Sequence, residues 1–107
     1  MSSKTKRGFN HILRMRRNRR LLQKQLALLL GHRYTAQLSK YESGRALPPL
    51  ETALLIEVAL GIRLQDLYPD LYQDLQVMIL KRAEGLPADL RRSILGRLHG
   101  KDDYGHT

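Results

Sequence analysis

The chain has 107 residues, a formal net charge of +9 and no cysteine. A chain of this length encloses one modest hydrophobic core, so the length predicts a single folded domain. The missing cysteines exclude disulfides, thiolate zinc sites and thiol nucleophiles. Because the sequence shows neither an apolar leader nor a run of about 18 apolar residues, we expect a cytoplasmic protein that does not bind a membrane.

The positive charge is concentrated in the first part of the chain. Residues 1–45 contain twelve Lys or Arg and a single acid, Glu42, for a net charge of +11, whereas residues 46–107 carry −2. Lys and Arg displace the counterions that condense on nucleic acids, and the release of these counterions favours binding. The asymmetry therefore predicts one face that binds a polyanion, although a solvated basic surface would give the same count.

Apolar residues recur at helical spacing through the basic half, and no strand pattern occurs. A first helix is predicted within residues 8–23, where Phe9, Ile12, Met15 and Arg16 share one face. Thr35 is expected to cap the third helix with its hydroxyl. The other predicted elements are a second helix from Gln23 to Leu30 that stops at Gly31, the third over about residues 35–43 before Gly44, a fourth from about Leu50 to Gly61, and a brief fifth from Arg63 to Tyr68.

The third predicted helix has an apolar face and a polar face. Leu38 and Tyr41 share the inner face, while Ala36, Gln37 and Lys40 point outward. A lysine can donate to guanine O6 and N7, a glutamine can pair with adenine N6 and N7, and an alanine methyl can contact the thymine methyl. The outer face is therefore suited to reading base edges.

Two further amphipathic helices are predicted after Pro69, in a helical C-terminal extension over residues 69–99. Their apolar residues are Leu71, Tyr72, Leu75, Met78 and Ile79 in the first helix, and Leu90, Ile94, Leu95 and Leu98 in the second, which Pro87 opens. These faces either cover the core or pair two copies in a homodimer, and the pattern leaves both possibilities open. Residues 1–8 are expected to form a disordered basic arm, and residues 100–107 a flexible tail.

The order and spacing of these segments resemble the phage-repressor or XRE-type helix-turn-helix family, also called lambda-repressor-like or Cro-type. The matching residues are Ile12, Met15 and Arg16, Leu21 and Gln23 in LLQKQLA, Gly31, the segment LSKYESG, Pro48, and the segments LETALLIEVALG and LQDLY. The resemblance implies an all-α fold with a five-helix lambda-repressor-like domain over residues 9–68, and the two amphipathic helices predicted above follow it in the chain. It also implies a repressor-like regulator that reads the DNA major groove with its third helix.

The resemblance further implies which residues bind DNA. They are the base-facing Thr35, Ala36, Gln37 and Lys40, the phosphate-binding Gln23 at the start of the second helix, and Ser43, Gly44 and Arg45, which meet backbone phosphates after the third helix. Arg16 and Glu42 match an ion pair that joins the first helix to the third. Such a pair positions the reading helix and does not itself contact bases.

The sequence departs from the family pattern around the second helix. Leu22 stands where a Ser or Thr usually caps that helix, which forfeits about 1 kcal/mol. The turn after Gly31 is one residue longer than the commonest form in the family. Within this turn we expect Arg33 to contact a phosphate, and His32 and Tyr34 to pack as ordinary loop residues.

Three functional hypotheses follow. The first is a dimeric regulator that binds double-stranded DNA in a sequence-specific way. The alternative is a protein-interaction or antitoxin-like module, whose C-terminal helices bind a partner protein. RNA binding comes third, because the basic half shows no aromatic stacking platform. Scattered histidines, and the lack of an HExxH motif or a phosphate-binding glycine loop, argue against an enzyme, and no metal or cofactor is predicted.

Overall fold

The computed structural model describes residues 6–99, and this part of the chain is helical without any strand. Its elements are a 3₁₀ turn at Lys6–Gly8, followed by α1 (Ile12–Asn18), α2 (Gln23–Leu29), α3 (Ala36–Glu42), α4 (Leu50–Leu60), α5 (Leu64–Leu67), α6 (Pro69–Ala83) and α7 (Ala88–His99). The chain divides between Leu71 and Tyr72, within α6, into two compact units. The predicted all-α arrangement of five helices followed by two is confirmed.

The expected ends of the chain are only partly described. Residues 100–107, the expected flexible tail, lie outside the described residues, as do the first five residues of the expected basic arm. The last three residues of that arm, Lys6–Gly8, form the 3₁₀ turn.

Helix α1 begins at Ile12, later than the sequence pattern predicted. The Asn10 side chain determines this start, because its Oδ1 accepts a hydrogen bond from the Ile12 N–H at 2.9 Å. Its Nδ2 donates to the carbonyl oxygens of Gly8 at 2.8 Å and Tyr41 at 2.9 Å. An asparagine side chain that bonds the backbone N–H two residues later in the chain favours the start of a helix over its interior. Phe9 therefore precedes the helix and is 45% exposed, so its predicted place within the first helix, on one face with Ile12, is wrong.

The first unit packs around one hydrophobic core. Each of its five helices contributes a side chain with no exposed surface, namely Ile12, Leu26, Leu38, Ile56 and Leu67. Full burial of one such side chain stabilises the fold by about 1.5–3 kcal/mol. Helices this short are marginal in isolation, so the shared core is what keeps α3 in place.

Left-handed glycines bound the turn before α3 and the loop after it. Gly31 follows α2 with φ of 82°, and Gly44 follows α3 with φ of 81°. Residues with a Cβ are disfavoured in this conformation. The predicted ends of the second and third helices at these two glycines are confirmed.

Helix α4 is tied to its neighbours by bonds between side chains and backbone. Arg19 Nε donates to the carbonyl oxygen of Leu60 at 2.7 Å, which satisfies the C-terminal end of α4 from the end of α1. Glu57 Oε1 accepts from the Leu64 N–H at 3.0 Å and so satisfies the start of α5. These bonds link the end of α1 to α4, and α4 to α5.

The second unit contains the rest of α6 and α7. Ala83 is buried there, whereas six larger apolar side chains are between 38% and 50% exposed: Tyr72, Leu75, Val77, Ile79, Leu86 and Leu90. The two predicted C-terminal helices are confirmed, and much of their apolar surface faces solvent. None of the helices within residues 6–99 is long and apolar enough to cross a membrane.

Candidate nucleic-acid interface

Helix α3 presents a small polar surface from a well-anchored backbone. Ala36, Gln37 and Lys40 are exposed, whereas Leu38 is 0% and Tyr41 4% exposed in the core. This division follows from the helical repeat, which places residues three and four apart on one side. The predicted inner and outer faces of the helix are confirmed. The outer face offers one methyl, one carboxamide and one ammonium group.

Thr35 occupies the N-cap position of α3 but does not cap it. Its backbone is already helical, with φ of −89° and ψ of −6°, and its side chain makes no capping hydrogen bond. A capping hydroxyl needs an extended backbone to reach the amides of the first turn. The predicted capping role is therefore wrong. The side chain is partly exposed at the start of the helix.

The Glu42 carboxylate joins three helices at the last residue of α3. Arg16 Nε donates to Glu42 Oε2 at 2.6 Å, and Arg16 Nη2 lies 3.3 Å from Glu42 Oε1. Gln23 Nε2 donates to the same Oε1 at 2.9 Å, and Arg16 Nη1 donates to the Leu21 carbonyl at 2.8 Å. Both charged side chains are nearly inaccessible, at 10% and 6% exposed. This network connects α1, the start of α2 and the end of α3.

Gln23 lies at the first position of α2, partly buried, with its carboxamide turned toward Glu42. A carboxamide nitrogen carries two hydrogens, so the bond to Glu42 leaves one for another acceptor. The missing Ser or Thr cap is offset in part by Gln25, whose Oε1 accepts from the Leu22 N–H at 2.8 Å. The start of α2 thus keeps a defined geometry with a leucine in the capping position.

The loop after α3 is ordered by its own short contacts. Arg45 Nε donates to Ser43 Oγ at 3.0 Å, and Ser43 Oγ lies 3.2 Å from the Lys40 carbonyl, to which it donates. The backbone N–H of Arg45 also donates to the Lys40 carbonyl, at 3.0 Å. Ser43 and Arg45 are exposed. The loop therefore carries the Arg45 guanidinium on the surface, close in sequence to Lys40.

The turn between α2 and α3 exposes the side chain of Tyr34. Tyr34 is 73% exposed, so the expectation that it packs as an ordinary loop residue is wrong. Arg33 is exposed beside it, while His32 is partly buried and its Nδ1 has no partner among the described residues. The backbone of the turn is anchored by the His32 N–H, which donates to the Ala27 carbonyl at 2.9 Å. Tyr34 lies outside the helical repeat, which is why periodicity could not predict its direction.

The sequence interpretation overlooked Asn10. One of its three hydrogen bonds, to the Tyr41 carbonyl, joins the segment before α1 to the last turn of α3 across 31 residues of sequence, and the other two are local. An asparagine two residues before an apolar helical pattern was a local signal for the helix start. Its contact with Tyr41 had no sequence signal. Among the side chains that the structure describes, no three of the metal-ligating types are grouped as a metal site would need.

The five short helices around one core, with a polar face on the third, define a helix-turn-helix protein. The family model described as Helix-turn-helix matches residues 12–67, just over half of the chain and all of α1 to α5. The chain belongs to this family, in its XRE-type or lambda-repressor-like form, and so contains a DNA-binding domain of the kind found in transcription regulators. Comparison with the curated proteins and with the solved structures gave no match.

Proposed function

We propose that this chain is a repressor-like transcription regulator that binds double-stranded DNA at specific sequences, with α3 in the major groove. The observation that carries the proposal is the exposed face of α3, where Ala36, Gln37 and Lys40 project from a helix whose other side is buried. A helix fits the major groove, and base edges there can be distinguished by donors, acceptors and methyl groups. The net charge of +11 over residues 1–45 supplies the attraction to phosphates.

The residues divide into two roles in this proposal. Base contacts come from Thr35, Ala36, Gln37 and Lys40, whereas phosphate contacts come from Gln23, Arg33, Ser43 and Arg45. Phosphate contacts orient a protein on the duplex, and base contacts specify the sequence. The Glu42 network supports the division, because it ties the reading helix to Gln23 at the start of α2. One carboxamide hydrogen of Gln23 remains for a phosphate.

Selection of bound duplexes from a random pool tests the proposal. Binding of the selected duplex over random duplexes by at least about 10³-fold at physiological salt is the expected result. Lys40→Ala should relax the base preference at one position, because it removes a base contact worth about 1–3 kcal/mol. Arg45→Ala should weaken all duplexes alike and reduce the salt dependence.

Lys81→Ala is the matched control, since Lys81 is an exposed lysine in the last turn of α6. It should leave base preference unchanged. Equal binding of selected and random duplexes by the wild-type protein would refute the proposal.

The proposed regulator binds as a homodimer to an inverted repeat, with half-sites about 34 Å apart for each helical turn between them. The exposed apolar side chains of α6 support a pairing surface in the second unit, because Leu75 and Ile79 are 41% and 44% exposed. Replacement of both by Gln should produce a monomer in analytical ultracentrifugation. The variant should then bind a single half-site more weakly than the wild-type dimer binds the full repeat.

The same exposed surface favours a second candidate function, a protein-interaction or antitoxin-like module. In that case the C-terminal helices bind a different protein in place of a second copy. The Leu75→Gln and Ile79→Gln pair separates the two functions. If the double variant loses both self-association and inverted-repeat binding, the regulator is supported. If the wild-type chain is already monomeric and binds one defined partner protein in a 1:1 complex, the interaction module is supported.

A further inference from the structure

The segment before α1 is in direct backbone contact with the loop after α3. A Cβ placed on Gly8 would overlap the carbonyl oxygen of Gly44, and a Cβ on Gly44 would lie 2.9 Å from the carbonyl oxygen of Gly8. Both positions therefore require glycine for the contact, and Gly44 requires it also for its φ of 81°. Two glycines are thus packed face to face at the end of the candidate reading helix.

The Asn10 side chain links the backbone at Gly8 to the backbone of the last turn of α3. Its Nδ2 donates to Gly8 O at 2.8 Å on one side and to Tyr41 O at 2.9 Å on the other. Tyr41 is itself 4% exposed and part of the core, so the contact is attached to the rigid part of the domain. The chain before α1 therefore does not leave the domain at Ile12 but continues along the end of α3 as far as the 3₁₀ turn.

Each of the two glycines is followed or preceded by an arginine, so the backbones of Arg7 and Arg45 are each one residue from the Gly8–Gly44 contact. Arg7 precedes Gly8 and Arg45 follows Gly44, and both side chains are exposed. Among the described side chains, the one ion pair is that of Arg16 with Glu42, so neither Arg7 nor Arg45 is neutralised by a carboxylate there. Like charges kept close together repel, and a bound anion removes that repulsion. A guanidinium also matches the geometry of a phosphate, with two parallel donors.

We propose that Arg7 and Arg45 together bind one phosphodiester of the DNA backbone beside the C-terminal end of α3. The proposal rests on the proposed function, and it adds Arg7 and the pairing of the two arginines. Arg45 already donates its Nε to Ser43, which leaves the two terminal nitrogens of its guanidinium to face a phosphate. The Gly8–Gly44 contact is the positioning element, because it determines where Arg7 lies relative to α3.

A double-mutant cycle with Arg7→Gln and Arg45→Gln on the selected duplex tests the shared phosphate. Each single change should weaken binding by about threefold to fivefold, as expected for a solvent-exposed ion pair. Because both side chains bind the same phosphate, the double variant should lose less affinity than the product of the single losses. For the double variant, the slope of log Kobs against log salt concentration should decrease in magnitude by about 0.9, the value for one phosphate contact, and not by twice that amount. Arg92→Gln, an exposed arginine of α7, is the matched control and should change neither quantity.

A second cycle tests the positioning role of the glycine contact. Gly8→Ala should weaken DNA binding like Arg7→Gln, and Arg7→Gln added to Gly8→Ala should cause little further loss. Circular dichroism and urea unfolding establish that the variant remains folded. If Gly8→Ala does not fold, Asn10→Asp replaces it, because the carboxylate still accepts from the Ile12 N–H but no longer donates to Gly8 and Tyr41.

The possible outcomes separate this proposal from the proposed function. If the selected duplex is preferred and Arg7→Gln binds it with wild-type affinity and salt slope, the two-arginine site is refuted and the regulator stands. Multiplicative losses in the first cycle would also refute a shared phosphate. If no duplex is preferred, the proposed function fails, whereas the cycles can still be read on a random duplex. Saturable binding of inorganic phosphate to Arg7 and Arg45 without DNA, followed by arginine side-chain NMR, would assign the site to a free anion and overturn the DNA assignment.

Discussion

Arg16 in α1 and Glu42 in α3 form an ion pair with a 2.6 Å contact, although both side chains are at most 10% exposed. Removal of one partner leaves the other charge buried without its counter-charge, which costs about 3–5 kcal/mol. We therefore expect Glu42→Ala and Arg16→Ala each to lower the free energy of unfolding by about that amount. The Gln23 bond to Glu42 adds to the loss when Glu42 is removed.

The paired change distinguishes the ion pair from simple packing. Arg16→Met with Glu42→Leu should cost much less than the sum of the single changes, because no charge remains buried. Urea unfolding of the four proteins measures this coupling, and Glu51→Ala, an exposed acid in the first turn of α4, serves as the control. Additive losses would show that the two side chains stabilise the domain independently.

The sequence predicted this pairing only through the family resemblance, whereas it predicted the faces of α3 from spacing alone. Leu38 and Tyr41 are buried and Gln37 and Lys40 exposed because one helical repeat determines all four directions. The helix end at Gly44 was equally readable, because a left-handed residue after a helix is usually glycine.

The predictions from the sequence were wrong where the backbone departs from the helical repeat. Phe9 matched the apolar period of α1, but the Asn10 side chain bonds the Ile12 N–H, and the helix begins only at Ile12. Thr35 has the right residue type for a cap, but its backbone is already helical. Tyr34 is in the turn between α2 and α3, where no periodicity specifies the direction of a side chain. The contact of Gly8 with Gly44 joins distant parts of the chain and leaves no local pattern.

Gly44 and Gly31 form a natural comparison, because their φ angles of 81° and 82° are nearly identical. A Cβ at Gly44 would lie 2.9 Å from Gly8 O, whereas a Cβ at Gly31 would meet nothing within 4 Å. Gly31→Ala should therefore cost only the left-handed backbone strain, about 1–2 kcal/mol. Gly44→Ala should cost more, because the Gly8 backbone must also shift. Thermal or urea unfolding measures both, and equal losses would mean that the Gly8 contact adds nothing to stability.

Arg20 has a φ of 60°, in the left-handed region, between α1 and α2. A residue with a Cβ there is strained, and glycine relieves the strain by up to about 1 kcal/mol. Arg20→Gly should raise the free energy of unfolding or leave it unchanged, despite the greater freedom of glycine in the unfolded chain.

Arg17→Gly is the matched control, because Arg17 is an exposed arginine of α1 only three residues earlier. Glycine within a helix costs about 1 kcal/mol, so the two changes should have opposite or clearly different effects on stability. Similar destabilisation by both variants would argue against strain at Arg20. The free energies of unfolding of both variants should be measured at moderate salt, where the loss of one positive charge has a smaller effect on stability.

Tyr68 has a buried hydroxyl with no hydrogen-bond partner among the described residues. A buried polar group without a partner keeps its desolvation cost, so its removal is neutral or stabilising. Tyr68→Phe should therefore leave the free energy of unfolding at pH 7 unchanged or raise it by up to about 1 kcal/mol. Tyr34→Phe is the matched control, because Tyr34 is 73% exposed, and it should not alter stability.

The same hydroxyl predicts a dependence on alkaline pH. Burial raises the pKa of Tyr68 from 10.0 to about 12, and the nearby Tyr41 adds to this rise. The unfolded chain therefore releases this proton near pH 10, while the folded chain retains it until about pH 12. The stability linked to the neutral hydroxyl is complete below pH 10 and is lost as the pH rises through this window. Wild-type protein should lose more stability than Tyr68→Phe between pH 10 and 12, and parallel curves in urea unfolding would refute the raised pKa.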